Sequence, residues 1–177
     1  MIRSARTSDA GALATIEVQS WRAAYQGLLP ASHLASLDVA ARTKWWSTRI
    51  RNLDAPSGVY IGERGRDPVG FVSYGPASRR AWGEVYAIYV RPSHWRAGCG
   101  GRLLDTALSS LGRSGFTRVE LWVIRDNSSA RAFYEAMGWR AAVGIRVESI
   151  GGVEVNEVRY VHEIGEAPPL FPGLRGR

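Results

Sequence analysis

The middle of the chain limits the possible folds more than any other part of the sequence. Residues 84–90 are dense in β-branched and aromatic side chains, which predicts a strand that ends before Pro92, because proline cannot donate to a strand ladder. The glycine-rich run Gly98–Gly101 follows, and residues 102–111 place apolar side chains at helical spacing. A strand, a glycine loop and a helix therefore succeed one another.

The glycine loop predicts an anion site. Glycines at a strand-to-helix junction let backbone N–H groups converge on an anion, and the helix N-terminus adds partial positive charge. The P-loop pattern G-x-x-x-x-G-K-[ST] is absent, and a G-x-G-x-x-G fingerprint near the first strand is absent as well. A tight turn that merely needs glycine remains the alternative.

The other elements fit a single domain over residues 1–164. A Pro/Gly-rich segment, 165–177, has little to bury and is predicted to be a flexible tail. Hydrophobic periodicity predicts further strands at 2–6, 59–61, 69–74, 119–124, 141–149 and 153–164, and further helices at 9–24, 31–37, 39–50 and 128–137.

Composition narrows the chemistry. Lys and Arg number 23 against 16 Asp and Glu, a net charge of +7, and lysine occurs only at Lys44. Arginine forks suit phosphates, although a coding bias toward arginine would give the same charge without a function. The arginines are scattered and form no basic recognition helix, so a nucleic-acid partner is not expected.

Cysteine and histidine usage argues against metal and disulfide chemistry. Cys99 is the single cysteine, which excludes an internal disulfide and a multi-cysteine zinc site. His33, His94 and His162 lack metal-ligand spacing, and no metal is predicted. The sequence shows neither a signal peptide nor a membrane-spanning apolar run, so we expect a cytoplasmic protein without a membrane partner.

Residues 90–104, V-R-P-S-H-W-R-A-G-C-G-G-R-L-L, resemble the coenzyme A signature [QR]-x-x-G-x-[GA] of the Gcn5-related N-acetyltransferases (GNAT). The first position departs from the pattern, because Trp95 stands there and Arg96 follows it. Residues 127–139, N-S-S-A-R-A-F-Y-E-A-M-G-W, are similar to the family segment N-x-x-A-x-x-F-Y-x-x-x-G-[FW]. The two motifs occur in the family's order, and the overall match runs from Ile2 to Ile164 and includes a segment, 21–30, typical of an uncharacterised bacterial branch.

The resemblance implies a three-layer α/β (α+β) fold. Its central sheet would be mixed, mostly antiparallel and of about seven strands, with helices on both faces. The fourth and fifth strands would splay apart at a bulge, so that the acyl-pantetheine arm could insert between them.

The resemblance also implies acetyl-CoA as co-substrate and assigns residues to its binding. Amides of residues 96–101 would hold the pyrophosphate, Asn127 would contact the pantetheine arm, and Tyr134 would protonate the departing thiolate. Asn127 could equally be a plain helix cap, and Tyr134 a core residue. The full set implied is Ile88, Tyr89, Val90, Arg96, Ala97, Gly98, Cys99, Gly100, Gly101, Arg102, Asn127, Ala130, Arg131 and Tyr134.

Glu84 and Tyr134 are the predicted catalytic residues. Glu84 opens the fourth strand at the position of the family's glutamate base, and would act through water; an exposed strand-end charge is the alternative. The oxyanion would meet a backbone N–H within 88–90. Cys99 lies inside the predicted phosphate loop without a triad partner, so we expect direct transfer without an acyl-enzyme.

The resemblance implies that the acceptor enters opposite the coenzyme, between the first helices and the last hairpin. A primary amine of a small molecule or peptide would suit an aromatic-walled pocket with a few acids, although the same rings could be core. The residues implied are Trp21, Tyr25, Glu84 and Tyr86, with Trp45, Trp46, Glu148 and Glu154 around them.

Two other functions remain open. One is a non-catalytic module that binds acyl-CoA, and the other is an acyltransferase fed by a carrier protein or an aminoacyl-tRNA, which the positive charge would accommodate. We expect a homodimer, as is common in the family.

Overall fold

The computed structural model of the chain describes residues 1–165, and the predicted tail 165–177 lies outside the described residues apart from Gly165. Within the described part, no helix has the length and apolar character needed to span a membrane. The strands are Ile2–Ser4 (β1), Gly58–Arg64 (β2), Asp67–Pro76 (β3), Gly83–Val90 (β4), Arg118–Ile124 (β5), Arg140–Ile150 (β6) and Val153–Glu163 (β7). The helices are Ala10–Ala24 (α1), Ala31–Ser36 (α2), Val39–Arg51 (α3), Cys99–Arg113 (α4) and Ser128–Ala136 (α5).

The strands form one 7-stranded sheet in the order β1-β2-β3-β4-β5-β7-β6. Neighbouring strands are antiparallel except for β4 and β5, which are parallel. Helices α1 and α3 pack on one face, where Leu13, Ile16 and Trp46 are buried against Phe71. Helix α4 packs on the other face together with α5. The mixed three-layer fold is therefore confirmed.

The two central strands separate soon after they pair. Strands β4 and β5 are in register only at Gly83–Val119 and Glu84–Glu120. A register shift in the β3–β4 ladder makes Tyr86 an extra residue on β4. Such a bulge bends its strand and disrupts the ladder locally. The predicted splay at a bulge is confirmed, and it opens a gap beyond Glu84.

Helix α4 begins at Cys99, three residues before the predicted start at Arg102 (102 − 99 = 3), and its first turn includes two glycines, which weaken helices on their own. Packing against α5 explains the difference. A Cβ on Gly100 would lie 3.3 Å from Phe133, and one on Gly101 would lie 3.2 Å from the Met137 sulfur. These glycines therefore allow the two helices to approach closely.

Candidate active site

The loop between β4 and α4 presents unpaired backbone donors. Arg96 and Gly98 both have left-handed backbone conformations, with φ of 59° and 76°. Among residues 1–165, the N–H groups of 96–101 have no hydrogen-bond acceptor, and the first bonded one is that of Arg102, 3.3 Å from the Gly98 carbonyl. Consecutive free amides at a helix N-terminus form an anion site. This loop fits a diphosphate.

Side chains around the loop add charge and fix its position. Arg96 and Arg102 are exposed, and neither makes an ion pair within the described part of the chain. Trp95 Nε1 donates to the Val90 carbonyl at 2.6 Å, which ties the loop to the end of β4. The residue that departs from the family pattern therefore has a structural role, which a pattern match could not reveal.

Cys99 is buried at the start of α4. Burial raises the pKa of its thiol, so the thiol stays protonated near neutral pH. A protonated, buried thiol is a poor nucleophile. Direct transfer without an acyl-enzyme stays a prediction.

At the end of β4, backbone N–H groups that do not pair with β3 face the gap beside β5. The Arg91 N–H donates to the Val69 carbonyl at 2.8 Å, which sets the alternation of the β3–β4 ladder. In that alternation, Ile88 and Val90 direct their N–H and C=O groups away from β3. The Val90 carbonyl accepts from Ser20 Oγ at 3.0 Å on that side. The N–H groups of Ile88 and Val90 thus face the gap where the oxyanion is predicted.

Glu84 lies at the last residue pair before the gap opens. Its side chain is partly buried; burial raises the pKa of its carboxyl, and the charge of Glu120 raises it further, while Arg146 acts in the opposite direction. Glu120, 3% exposed, lies beside it and is 3.5 Å from Arg159 and 3.8 Å from Arg79. A carboxylate with a raised pKa accepts a proton more readily, which suits a general base.

Aromatic hydroxyls surround the gap. Burial raises the pKa of Tyr134, and the neighbouring Tyr25 raises it further. Burial likewise raises the pKa of Tyr25 to about 12 and that of Tyr89 well above its ordinary value. All three hydroxyls are therefore protonated near neutral pH.

Trp21 completes this group of rings. It packs edge-on against Tyr25, with ring centroids 5.0 Å apart. Its Nε1 is buried and has no hydrogen-bond partner in the described part of the chain. The structure therefore places Trp21 beside Tyr25 at the end of α1, and the role of both residues in an acceptor site stays a prediction.

Asn127 and Arg131 make contacts within the protein. Asn127 is 7% exposed, and its Oδ1 accepts from the Ala130 N–H at 3.1 Å, so it caps α5. This cap leaves Nδ2 as a donor. Arg131 donates to the Tyr160 hydroxyl and to the Arg125 carbonyl, both at 3.1 Å. Its side chain is thereby directed at β7 and the β5–α5 turn.

The other predicted acceptor residues divide into two groups. Tyr86 is on the bulge next to Glu84, 38% exposed, and its hydroxyl donates to the Pro76 carbonyl at 2.6 Å. Trp46 is in the core and donates to Glu17 at 2.7 Å, whereas Trp45 is exposed on α3 with Arg42 stacked 4.4 Å from its ring. The structure does not bring these two tryptophans to the gap.

The two predicted acids of the last hairpin, Glu148 and Glu154, are not ion-pair or register partners of the residues beside Glu84. Glu148 is on β6, 3.2 Å from Arg146. Glu154 lines a cavity of about 280 Å³ between the α1–α2 loop, the end of β5 and the start of β7. Ile124, which also lines this cavity, is four residues along β5 from Glu120, or about 13 Å.

Sequence reasoning missed a charged group beside Glu84. It comprises Glu120 with Arg79 and Arg159, and the arginines lie over the ring of Trp82. The available signal was the glutamate inside the apolar run 119–124, because a charge at the centre of a buried strand needs a partner. Which arginines would supply that partner depends on strand pairing, which the sequence does not show.

Comparison with known proteins identifies the family. The model of the acetyltransferase (GNAT) family matches residues 17–139. The chain belongs to the GNAT family. An uncharacterized N-acetyltransferase of Bacillus subtilis, YuaI, is 32% identical to this GNAT protein over 161 residues. The match covers 89% of this chain and 89% of YuaI. A probable N-acetyltransferase of Mycobacterium tuberculosis is 29% identical over 163 residues. That alignment covers 85% of this chain and 90% of the relative.

Solved GNAT structures share the fold. PaiA N-acetyltransferase of Thermoplasma acidophilum, in complex with coenzyme A, superposes with a TM-score of 0.69 at 20% identity over 93% of this chain and 98% of its own. YncA of Salmonella typhimurium, with acetyl-CoA, gives a TM-score of 0.68 at 20% identity over 97% and 98%. The family and its named relatives make this protein an acyl-CoA-dependent N-acyltransferase.

Proposed function

We propose that this GNAT protein transfers the acetyl group of acetyl-CoA to a primary amine of a small molecule or peptide, by direct attack within a ternary complex. The observation that carries the proposal is the position of Glu84 and Tyr134. Glu84 is at the last residue pair before β4 and β5 separate, and free amides follow the end of β4. The Tyr134 ring lies 6.2 Å from that of Tyr160, the register partner of Leu121 on β5.

Backbone groups are the proposed donor site. The free amides of 96–101 would hold the pyrophosphate, and Arg96 and Arg102 would add positive charge. Asn127 Nδ2 would donate to the pantetheine arm that follows the gap. PaiA and YncA, solved with coenzyme A and acetyl-CoA, have the same fold, which supports acetyl-CoA as the co-substrate.

Acetyl-CoA would supply an activated thioester, and the residues of the chain would move the protons. Glu84, through a water molecule, would accept the proton that the acceptor ammonium must lose before its nitrogen can attack. The N–H of Ile88 or Val90 would donate to the carbonyl oxygen as it gains negative charge. The Tyr134 hydroxyl would give its proton to the leaving sulfur.

A non-catalytic binding module is the second candidate. It would explain the phosphate loop but not a partly buried Glu84 whose pKa is raised at the mouth of the gap. A carrier-protein or aminoacyl-tRNA donor is the third candidate, and the free amides of 96–101 favour free coenzyme over either of these.

Steady-state assays of thiol release from acetyl-CoA, with a panel of primary amines and mass analysis of the products, test the proposal. We expect acceptor-dependent release of coenzyme A with one acetyl group gained per amine. Tight binding of acetyl-CoA without acetylation of any amine would support the binding module instead. Absence of acetyl-CoA binding would point to a carrier-protein or tRNA donor.

A further inference from the structure

Near Glu120, the sheet carries an excess of positive charge around one tryptophan. The guanidinium carbons of Arg79, Arg118 and Arg159 lie 5.3, 5.7 and 5.9 Å from the ring centroid of Trp82. We call these four residues the Trp82 patch. Among residues 1–165, Glu120 is the only carboxylate within ion-pair distance of the patch, at 3.5 Å from Arg159 and 3.8 Å from Arg79. One carboxylate cannot neutralise the patch.

The Trp82 patch lies next to the proposed base. Trp82 lies just before β4, two residues or about 7 Å along the chain from Glu84. The two arginines beside its ring, Arg79 and Arg159, are the ion-pair partners of Glu120. Glu120, the register partner of Glu84, is the residue that contacts the patch. Arg118 precedes Glu120 by two residues on β5 and lies on the same face of that strand.

The patch is separate from the proposed coenzyme phosphate site. Strand β4 has 8 residues, and Gly83 at the patch end is about 23 Å from Val90 at the loop end. The free amides of 96–101 follow Val90, at the far end. An anion at the patch would therefore come from the acceptor and not from the coenzyme pyrophosphate.

We propose that the preferred acceptor is a small amine that also carries a carboxylate or phosphate, which the Trp82 patch binds while the amine reaches Glu84. This inference rests on the proposed function. Arg79 is half exposed and Arg118 is exposed, so both can turn a guanidinium fork toward a ligand. Arginine forks hold carboxylates and phosphates through paired, charge-assisted hydrogen bonds. The ring of Trp82 packs against the guanidinium groups of Arg79 and Arg118.

The spacing predicts the length of the acceptor. Trp82 and Glu84 are about 7 Å apart along an extended chain, so an amine that reaches Glu84 through a water molecule would be about 7 Å or more from an anion at the patch. An ω-amino carboxylate with a short methylene chain spans that distance. Glycine is too short, because its amine and carboxylate share one carbon.

Matched acceptor pairs test the inference. With saturating acetyl-CoA, kcat/KM is measured for 4-aminobutyrate against 4-aminobutanamide, and for 6-aminohexanoate against hexylamine. We expect the carboxylate to be preferred by about tenfold or more in the wild type, the usual effect of a charge-assisted hydrogen bond. Arg79→Ala with Arg118→Ala removes the preference, and Arg118→Gln alone reduces it.

Arg113→Ala is the matched control. Arg113 is an exposed arginine at the end of α4, on the opposite face of the sheet, and donates to Ser110 at 2.8 Å. The control removes one positive charge, as Arg118→Gln does, and should keep the preference. A second readout needs no turnover: 4-acetamidobutyrate, the product of the first acceptor, should bind the coenzyme A complex in calorimetry and lose affinity in the double variant.

The outcomes separate the inference from the proposed function. Equal kcat/KM within each acceptor pair, or a preference for the uncharged member, would overturn the inference and leave N-acetylation standing. A carboxylate preference that survives in the double variant would overturn the role of the Trp82 patch. Failure of the protein to bind acetyl-CoA would overturn the proposed function, and the inference with it.

Discussion

The two sides of the β4–β5 gap are built in different ways. On the proposed donor side, the loop 96–101 presents backbone amides, and its glycines serve conformation and close packing. On the proposed acceptor side, Glu84, Glu120 and the Trp82 patch present side chains that three strands and a loop bring together. A backbone site depends on a local pattern of residues, whereas a side-chain site depends on strand pairing. The donor side is therefore recognisable in the sequence and the acceptor side is not.

Tyr134→Phe tests the chemistry where the two sides meet, and has the largest expected effect. We expect kcat to fall by about 10²-fold or more, because loss of a positioned acid typically costs 10²–10⁴-fold. The dissociation constant for acetyl-CoA should change little. Tyr60→Phe is the control, since it removes a hydroxyl that bonds Ser110 at 2.9 Å away from the gap. Unchanged turnover in Tyr134→Phe would remove Tyr134 as the acid.

Gly98→Val tests whether the donor side depends on backbone conformation. Nothing lies within 4 Å of a Cβ at Gly98, so the cost arises from its left-handed φ alone, about 1–3 kcal/mol. Gly115 has the same properties at φ 89°, at the far end of α4. Both valine variants should lose similar stability in urea unfolding. Only Gly98→Val should weaken acetyl-CoA binding, by about tenfold or more; equal affinity in the two variants would contradict the backbone site.

Trp95→Phe tests the bond that ties the loop to β4. The variant loses the hydrogen bond from Nε1 to the Val90 carbonyl, worth about 1 kcal/mol, so calorimetry should show acetyl-CoA binding about fivefold weaker. Trp45→Phe is the control, because Trp45 is 47% exposed and Trp95 is 45% exposed. The role of Trp95 would be excluded if both variants bound acetyl-CoA as the wild type does.

Glu120→Gln tests the acceptor side with the smallest expected effect. A general base acts when deprotonated, so kcat/KM rises with pH through the pKa of Glu84. The negative charge of Glu120 raises that pKa, and its removal should shift the acidic limb of the profile to lower pH. The charges of Arg146, Glu157, Arg79 and Arg159 remain nearby. Asp105→Asn on α4 is the control, and a limb that stays in place or moves to higher pH contradicts the coupling.

Much of the fold could be predicted from the sequence because its signals are local. The β-branched density of 84–90 and the apolar stripe of 102–111 depend on neighbouring residues alone. The start of α4 was misplaced, because the contact of Gly100 with Phe133 is a tertiary contact that overrides glycine's poor helix propensity.

The acceptor side shows the limit of sequence reasoning. Trp45 and Trp46 were predicted near the acceptor on their residue type, but the helical phase of α3 turns Trp46 into the core and Trp45 to the surface. Glu120 was missed because its relation to Glu84 is one of parallel register between distant segments. The residues of the Trp82 patch are spread over 79–159 in the sequence, and only the sheet order brings them together.

The most direct test of the account is calorimetric titration of the purified protein with acetyl-CoA, repeated with Gly98→Val and Gly115→Val. The account predicts stoichiometric, micromolar binding that Gly98→Val weakens and Gly115→Val leaves unchanged. Absence of binding to the wild-type protein, or equal binding by all three proteins, would contradict a coenzyme site built from the amides of residues 96–101.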